Sequence, residues 1–213
     1  MSPEKSHAPE RIEEVQAPKR IEIMERTDIE KIVYDKSVID FVTIAVEICV
    51  FLEKNELLPR EEWIDRILKM LPLLYVKALL LPETFATDEE LSATFVREED
   101  YSRVMNGISE VMGEEDTYLD VFVEDMKYSD TPVSAFVSEN IADIYQDIRN
   151  FVSVYQFGLT DRMNDALFQC KENFRLYWGQ KLVNVLRPLH TLKCAYMENE
   201  NDEADLSEEE LWD

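Results

Sequence analysis

Two groups of residues have the types and spacing that chemistry needs. Glu139, Asp143 and Asp147 recur every four residues, which on a helix sets three carboxylates on one face. Carboxylates so placed can hold Mg²⁺ or Mn²⁺ or act as acid and base. They serve equally well as a solvated face or as partners for bases on a neighbouring helix. The second group is Arg175, Trp178, Gly179, Arg187 and His190, and His190 is the only histidine outside the N-terminal arm. With no second histidine and no cysteine cluster beside it, catalytic zinc lacks ligands, and no metal site is assigned. The pairs Glu53/Glu56 and Glu62/Asp65 follow each other too closely for a helical nucleotide-pyrophosphate hydrolase. The four glycines are too scattered for a phosphate-cradling loop or a nucleophile elbow. No cofactor is implied. Taken together, the two groups suggest one network, with Asp143 and Asp147 on one helix and Arg175, Arg187 and His190 on its antiparallel neighbour, linked by charge-assisted hydrogen bonds. Gly179 would let the two backbones approach beside the Trp178 indole. His190, at the edge of an apolar stripe, reads as a hydrogen-bonded core group.

The elements that must carry these groups follow from apolar periodicity. Val38, Phe41, Val42, Ala45, Cys49 and Leu52 recur at steps of three and four, the buried stripe of a helix. A second helix begins near Arg60, behind Pro59 and with Glu61 and Glu62 in its first turn. Pro72 lies within it and predicts a kink or break. Tyr101 to Met112 predicts a short helix stopping at Gly113. Tyr118 to Met126 fits strand or helix equally. From Pro132, with Thr131 as N-cap, to Phe157 the periodicity predicts a long helix ended by Gly158. A final helix, capped by Thr160 or Asp161, runs past a kink at Pro188 toward Met197. The expected fold is all-α: one compact domain of five to seven helices, with a long antiparallel C-terminal helix pair.

Charge divides the chain. Over 213 residues, 46 Asp and Glu face 22 Lys and Arg, a net charge of −24. That field repels phosphate backbones and anionic lipid, so nucleic-acid and membrane binding are excluded. Yet 46% of residues are hydrophobic, enough for a packed core. The acid is concentrated in 83–125 and in 198–213, so the helical domain, 29–197, is nearly neutral outside its acidic segment. Residues 1–28 read as a mobile arm and 198–213 as a disordered acidic tail. Leu211 and Trp212 are large apolar groups that this tail cannot bury, and they are candidate anchors on a partner. Cys49, Cys170 and Cys194 form no disulfide or zinc pattern and read as small buried hydrophobes in a reducing cytoplasm. The polar N-terminus lacks a secretory core, and no apolar run approaches the roughly 20 residues of a membrane span.

Three strings carry a resemblance: Asn140-Ile141-Ala142-Asp143-Ile144-Tyr145-Gln146-Asp147-Ile148, Phe174-Arg175-Leu176-Tyr177-Trp178-Gly179 and Leu186-Arg187-Pro188-Leu189-His190. Over about residues 35 to 194 the chain resembles a bacterial family called domain of unknown function 5063, whose patterns read L-A-D-I-Y-R-D-L, F-x-x-H-W-G and A-L-R-A-L-H. The resemblance implies a helical fold and no activity. It places the family's polar pattern on Asp143, Tyr145, Asp147, Trp178, Gly179, Arg187 and His190. Where the pattern has His before Trp-Gly this chain has Tyr177, and Pro188 replaces Ala. The function expected is a noncatalytic cytoplasmic interaction or accessory module whose partner is a protein with a basic surface. The alternative is a small-molecule or divalent-metal site at Asp143, Asp147, Arg187 and His190. Oligomeric state is left open by the sequence.

Overall fold

The structure is a computed structural model that describes residues 26–54, 58–87, 94–120 and 133–209, the side chains of 26–27 and 199–209 excepted. Among the described residues it is all-α apart from one hairpin. The helices are α1 (Arg26–Val33), α2 (Lys36–Glu53), α3 (Arg60–Leu79), α4 (Glu98–Met112), α5 (Val137–Gln156), α6 (Thr160–Asn173) and α7 (Gly179–Glu209). Strands β1 (Thr117–Asp120) and β2 (Val133–Phe136) pair antiparallel, with Thr117 opposite Phe136 and Asp120 opposite Val133. No described helix is long and apolar enough to cross a membrane.

The central element is α5, which packs against α2, α4, α6 and α7. Its buried positions include Ile141, Ile144, Tyr145, Ile148 and Val152, a broad stripe at helical spacing. Helix α5 starts later than its sequence suggests. The expected start at Pro132 with Thr131 as cap is overturned, because Val133–Phe136 is strand. These residues gain a cross-strand ladder with β1 that a first helical turn could not match. The cap then comes from elsewhere in the chain: Asp116 accepts hydrogen bonds from the Ser138 backbone N–H (2.8 Å) and hydroxyl (2.7 Å). A buried carboxylate at a helix N-terminus satisfies orphan donors and complements the dipole. Of the ambiguous stretch from Tyr118 to Met126, the residues through Asp120 are strand, and the rest lies outside the described residues.

Of the kink or break expected at Pro72, the break does not occur, because helix α3 runs on through it. Pro72 is on the exposed side, where water can satisfy the carbonyl one turn back. Gly113 and Gly158 end α4 and α5 with φ of 59° and 66°, a region that favours glycine. Neither Thr160 nor Asp161 caps α6; Leu159 holds that position and makes no side-chain cap bond. Between α6 and α7 lies a single π-helical turn, Phe174–Trp178. From residue 198 to Glu209 the acidic block forms the end of α7; of the proposed arm 1–28, residues 26–28 begin α1 and 1–25 lie outside the described residues, as do Leu211 and Trp212.

Candidate functional site

The π turn positions the polar groups of the molecule. Its indole, Trp178, is fully buried. It stacks on Phe41 (centroids 6.5 Å apart) and meets Phe174 at 4.6 Å, and its N–H donates to the Cys170 carbonyl at 3.3 Å. Gly179 closes the turn, donating its backbone N–H to the Phe174 carbonyl. A Cβ on Gly179 would lie 2.4 Å from that same oxygen. The glycine therefore serves the tight winding of its own helix, and the expected approach of two neighbouring helices is not what requires it. A π turn inserts an extra residue and re-aims the side chains around it. Here it sets Tyr177 and Lys181 against α5.

Asp143 is the hub of the resulting seam. Its carboxylate accepts from the Tyr101 hydroxyl at 2.9 Å, from the Tyr177 hydroxyl at 3.1 Å and from the Lys181 ammonium. Lys181 also donates to Asn140 Oδ1 at 3.3 Å and lies 4.6 Å from the Tyr177 ring centroid, a cation–π distance. Asn140 in turn donates to the Tyr118 hydroxyl at 2.5 Å. The side chains of Asp143 and Lys181 are only 15% and 25% exposed, so water screens their attraction weakly. Burial opposes the Lys181 charge, but the hydrogen bond and charge of Asp143 outweigh it and the pKa of Lys181 is raised. Burial, reinforced by Asp143, raises the pKa of Tyr101. Burial, then the Asp120 charge, pushes the Tyr118 hydroxyl up to about 12, against the Asn140 hydrogen bond.

One turn on, Asp147 is in a different position. Its carboxylate accepts from the Asn173 amide, and among the described residues no cation pairs with it. Burial, with the nearby Asp143 charge, holds its carboxyl above the ordinary range, although the Asn173 hydrogen bond works the other way. Tyr145 belongs to a third arrangement. Its hydroxyl donates to Glu53 at 2.9 Å, the same carboxylate that Arg149 meets at 2.6 Å. These groups face a polar cleft of about 260 Å³ that Asp100, Arg103 and Ser153 also line.

The bases expected opposite the α5 carboxylates are elsewhere. Arg175 pairs with Glu172 on its own helical stretch at 2.7 Å and is exposed. Arg187, also exposed, lines a shallow recess with Glu115, Tyr118 and Pro188. His190 is exposed rather than in the core, 3.6 Å from Cys194 Sγ. Cys194 is exposed as well, whereas Cys49 and Cys170 are buried as expected. Glu139, the first carboxylate of the ridge, is exposed. Lys181 takes the role expected of Arg187, and Tyr101, Asn140 and Asn173 complete a network that the sequence did not single out. The available signal was Tyr177 and Lys181 at i, i+4, opposite Asn140 and Asp143 at i, i+3. Among the described residues no group of three or more His, Cys, Asp or Glu is arranged to hold a metal ion.

Comparison with known proteins agrees with this fold. A crystal structure of protein BF1032 from Bacteroides fragilis is similar, with 43% identity over 76% of this chain and 95% of that one and a TM-score of 0.67. No protein of curated function matches. The family pattern described as Domain of unknown function (DUF5063) matches residues 32–195, which include the Asp143 seam, the π turn and His190, and the chain belongs to that family.

Proposed function

We propose that the protein is a noncatalytic cytoplasmic interaction module whose partner presents a basic protein surface. The observation that carries this reading is the division among its carboxylates. Asp116, Asp143 and Asp147, the acids best placed for chemistry, are each taken up by internal hydrogen bonds. Glu98, Glu99, Glu110, Glu114 and Glu115, on α4 and the turn after it, are exposed and have no hydrogen bond or ion pair among the described residues. Like charges left unpaired destabilise the isolated molecule slightly and become favourable only against an opposite surface. The buried free thiols of Cys49 and Cys170 accord with a reducing compartment.

The test is capture of proteins from a cell extract by the full chain and by a variant with all five glutamates changed to Gln, across a range of ionic strength. The reading expects a basic partner that binds wild type at low salt, is released as salt rises, and is lost with the variant while the variant's Tm is unchanged or higher. Identical partner sets for both proteins, insensitive to salt, would overturn it.

A further inference from the structure

One part of the surface combines exposed apolar side chains with basic ones. An open cleft of about 490 Å³ lies between the C-terminal half of α2, the N-terminal half of α3 and the end of α4. Its walls include Val46, Val50, Trp63, Met70 and Val111. Charged groups on its rim are Lys54, Arg66 and Lys69 against Glu47 alone, a local excess of positive charge in a chain of net −24. Arg66 and Lys69 pair only with acids one turn away on α3, in exposed contacts with Glu62 (2.5 Å) and Asp65 (2.6 Å). Such surface pairs contribute little and give way to a better-placed carboxylate. Lys54 is exposed and makes no ion pair among the described residues.

The cleft extends into a strip. Along α3 and its C-cap, Met70, Leu73, Val76 and Leu80 follow one another at steps of three and four, and Leu73, Val76 and Leu80 are 45%, 50% and 58% exposed. On α2, Ile39 and Val50 are each 41% exposed on one side of the helix. The Asp40–Lys77 pair at 2.8 Å fixes the two helices side by side along this length. Eleven residues of helix separate Ile39 from Val50, a rise of about 16 Å, room for three turns of a docked helix. An elongated apolar strip with a basic rim calls for an acidic segment carrying a few large apolar side chains.

The chain contains such a segment. Residues 198–213 hold nine acids and no base, and include Leu206, Leu211 and Trp212. We infer that the strip between α2 and α3 binds the acidic C-terminal segment, anchored by Leu211 and Trp212, of a second copy of this chain. A second copy is required by the course of α7. Its Lys193 lies 3.6 Å from Glu61 and Asp65 at the N-terminal end of α3, so α7 runs out past that end. Helix continues to Glu209, which carries the chain about 24 Å farther from Lys193. The strip runs the opposite way, toward Leu80, so the end of α7 at Glu209 lies away from it. This inference goes beyond the accessory reading and does not depend on it.

Sedimentation of the full chain tests the inference, using two variants: Leu211→Ala with Trp212→Ala, and Val50→Glu with Lys69→Glu, the latter pair at exposed positions. Wild type is expected to self-associate by a concentration of about 100 µM, more weakly as salt rises from about 0.05 to about 0.5 M. Each variant alone should weaken association at least about tenfold, with circular dichroism showing an unchanged helical fold. A mixture of the two should recover association, because one protein keeps the strip and the other keeps the anchors. A monomeric wild type would overturn the inference, as would association that neither variant alters or a mixture that fails to recover.

Discussion

The carboxylates of α5 and those of α4 share a residue type and differ in surroundings. On α5, Asp143 is met by two phenols and an ammonium, and every contact crosses to another element: Tyr101 on α4, Tyr177 on the π turn, Lys181 on α7. On α4 the exposed glutamates have no hydrogen bond or ion pair among the described residues. The first set holds three elements in one register, since any slip leaves a half-buried charge without its partner. The second set adds little to the fold beyond the favourable placing of Glu98 and Glu99 in the first turn of α4, and its charges are open to an outside surface. If this contrast is right, perturbing the inner set costs stability, and perturbing groups on the outside costs almost none.

The sharpest break is at the π turn. Gly179→Ala puts a methyl group 2.4 Å from the Phe174 carbonyl oxygen, a backbone atom that cannot move without unwinding the turn. Either the turn reverts to α winding, which rotates Tyr177 and Lys181 away from Asp143, or the clash is carried. Overpacking of this kind costs about 3 kcal/mol, or a fall in Tm of about 10 °C for a chain of this size. Calorimetry checks it; a Tm within a degree of wild type would show that the π turn does not hold the seam in place.

Next in size is Asp143→Ala. It removes the acceptor of two hydroxyls and leaves Lys181, 25% exposed, without its counter-ion. Breaking a fully buried pair costs about 3–5 kcal/mol, and the partial exposure here reduces the expected loss to about 2 kcal/mol. The double variant Asp143→Ala with Lys181→Met should recover part of that loss, which denaturant titration of all three proteins would measure.

The sequence revealed the helices better than the contacts between them. Periodicity located α2, α3, α4 and the body of α5, because each buries one stripe and a stripe is a local property. The start of α5 was hidden because its cap, Asp116, lies 22 positions earlier in the chain. The α5 carboxylates were visible and their partner was not. Arg187 and His190 looked suitable when α6 and α7 were read as one regular helix, but the π turn shifts the phase by a residue and brings Lys181 to Asp143 instead. Nothing in the spacing of Phe174 to Trp178 announces an i→i+5 turn; only the glycine after it, which tolerates the approach of Phe174, hints at one.

Asp147 sharpens the comparison from the opposite side, with an effect of reversed sign. Its folded-state pKa is raised by burial, so the native state holds this proton more tightly than the unfolded chain does. Stability therefore falls as pH rises from the ordinary carboxylate range through the folded pKa, and stays lower above it. Asp147→Asn removes the ionisation and keeps an oxygen to accept from Asn173. The variant should melt higher than wild type at pH 7, with the gap closing as pH is lowered below the folded pKa. A variant that is less stable at neutral pH would mean that the Asp147 charge is favourable where it stands.

The smallest effect is expected at His190, and its smallness is what makes it decisive. The imidazole is exposed on α7, 3.6 Å from the exposed Cys194 thiol, and Arg187 one turn earlier is exposed too. Removing surface groups of this kind changes stability by less than about 0.5 kcal/mol. His190→Ala should therefore leave the melting curve nearly superimposed on wild type, in contrast to Asp143→Ala. A ligand site at Asp143, Asp147, Arg187 and His190 makes a separate demand, that Mg²⁺, Mn²⁺ or a small anion raise the Tm of wild type and fail to raise that of His190→Ala. The geometry opposes this, since Asp143 is already satisfied by Lys181 and two phenols, and a cation there would have to displace an ammonium held by charge and hydrogen bonding together. Thermal titration of both proteins with each ion should give coincident curves, because the polar groups that the sequence made conspicuous on α7 lie outside the seam that α5 builds.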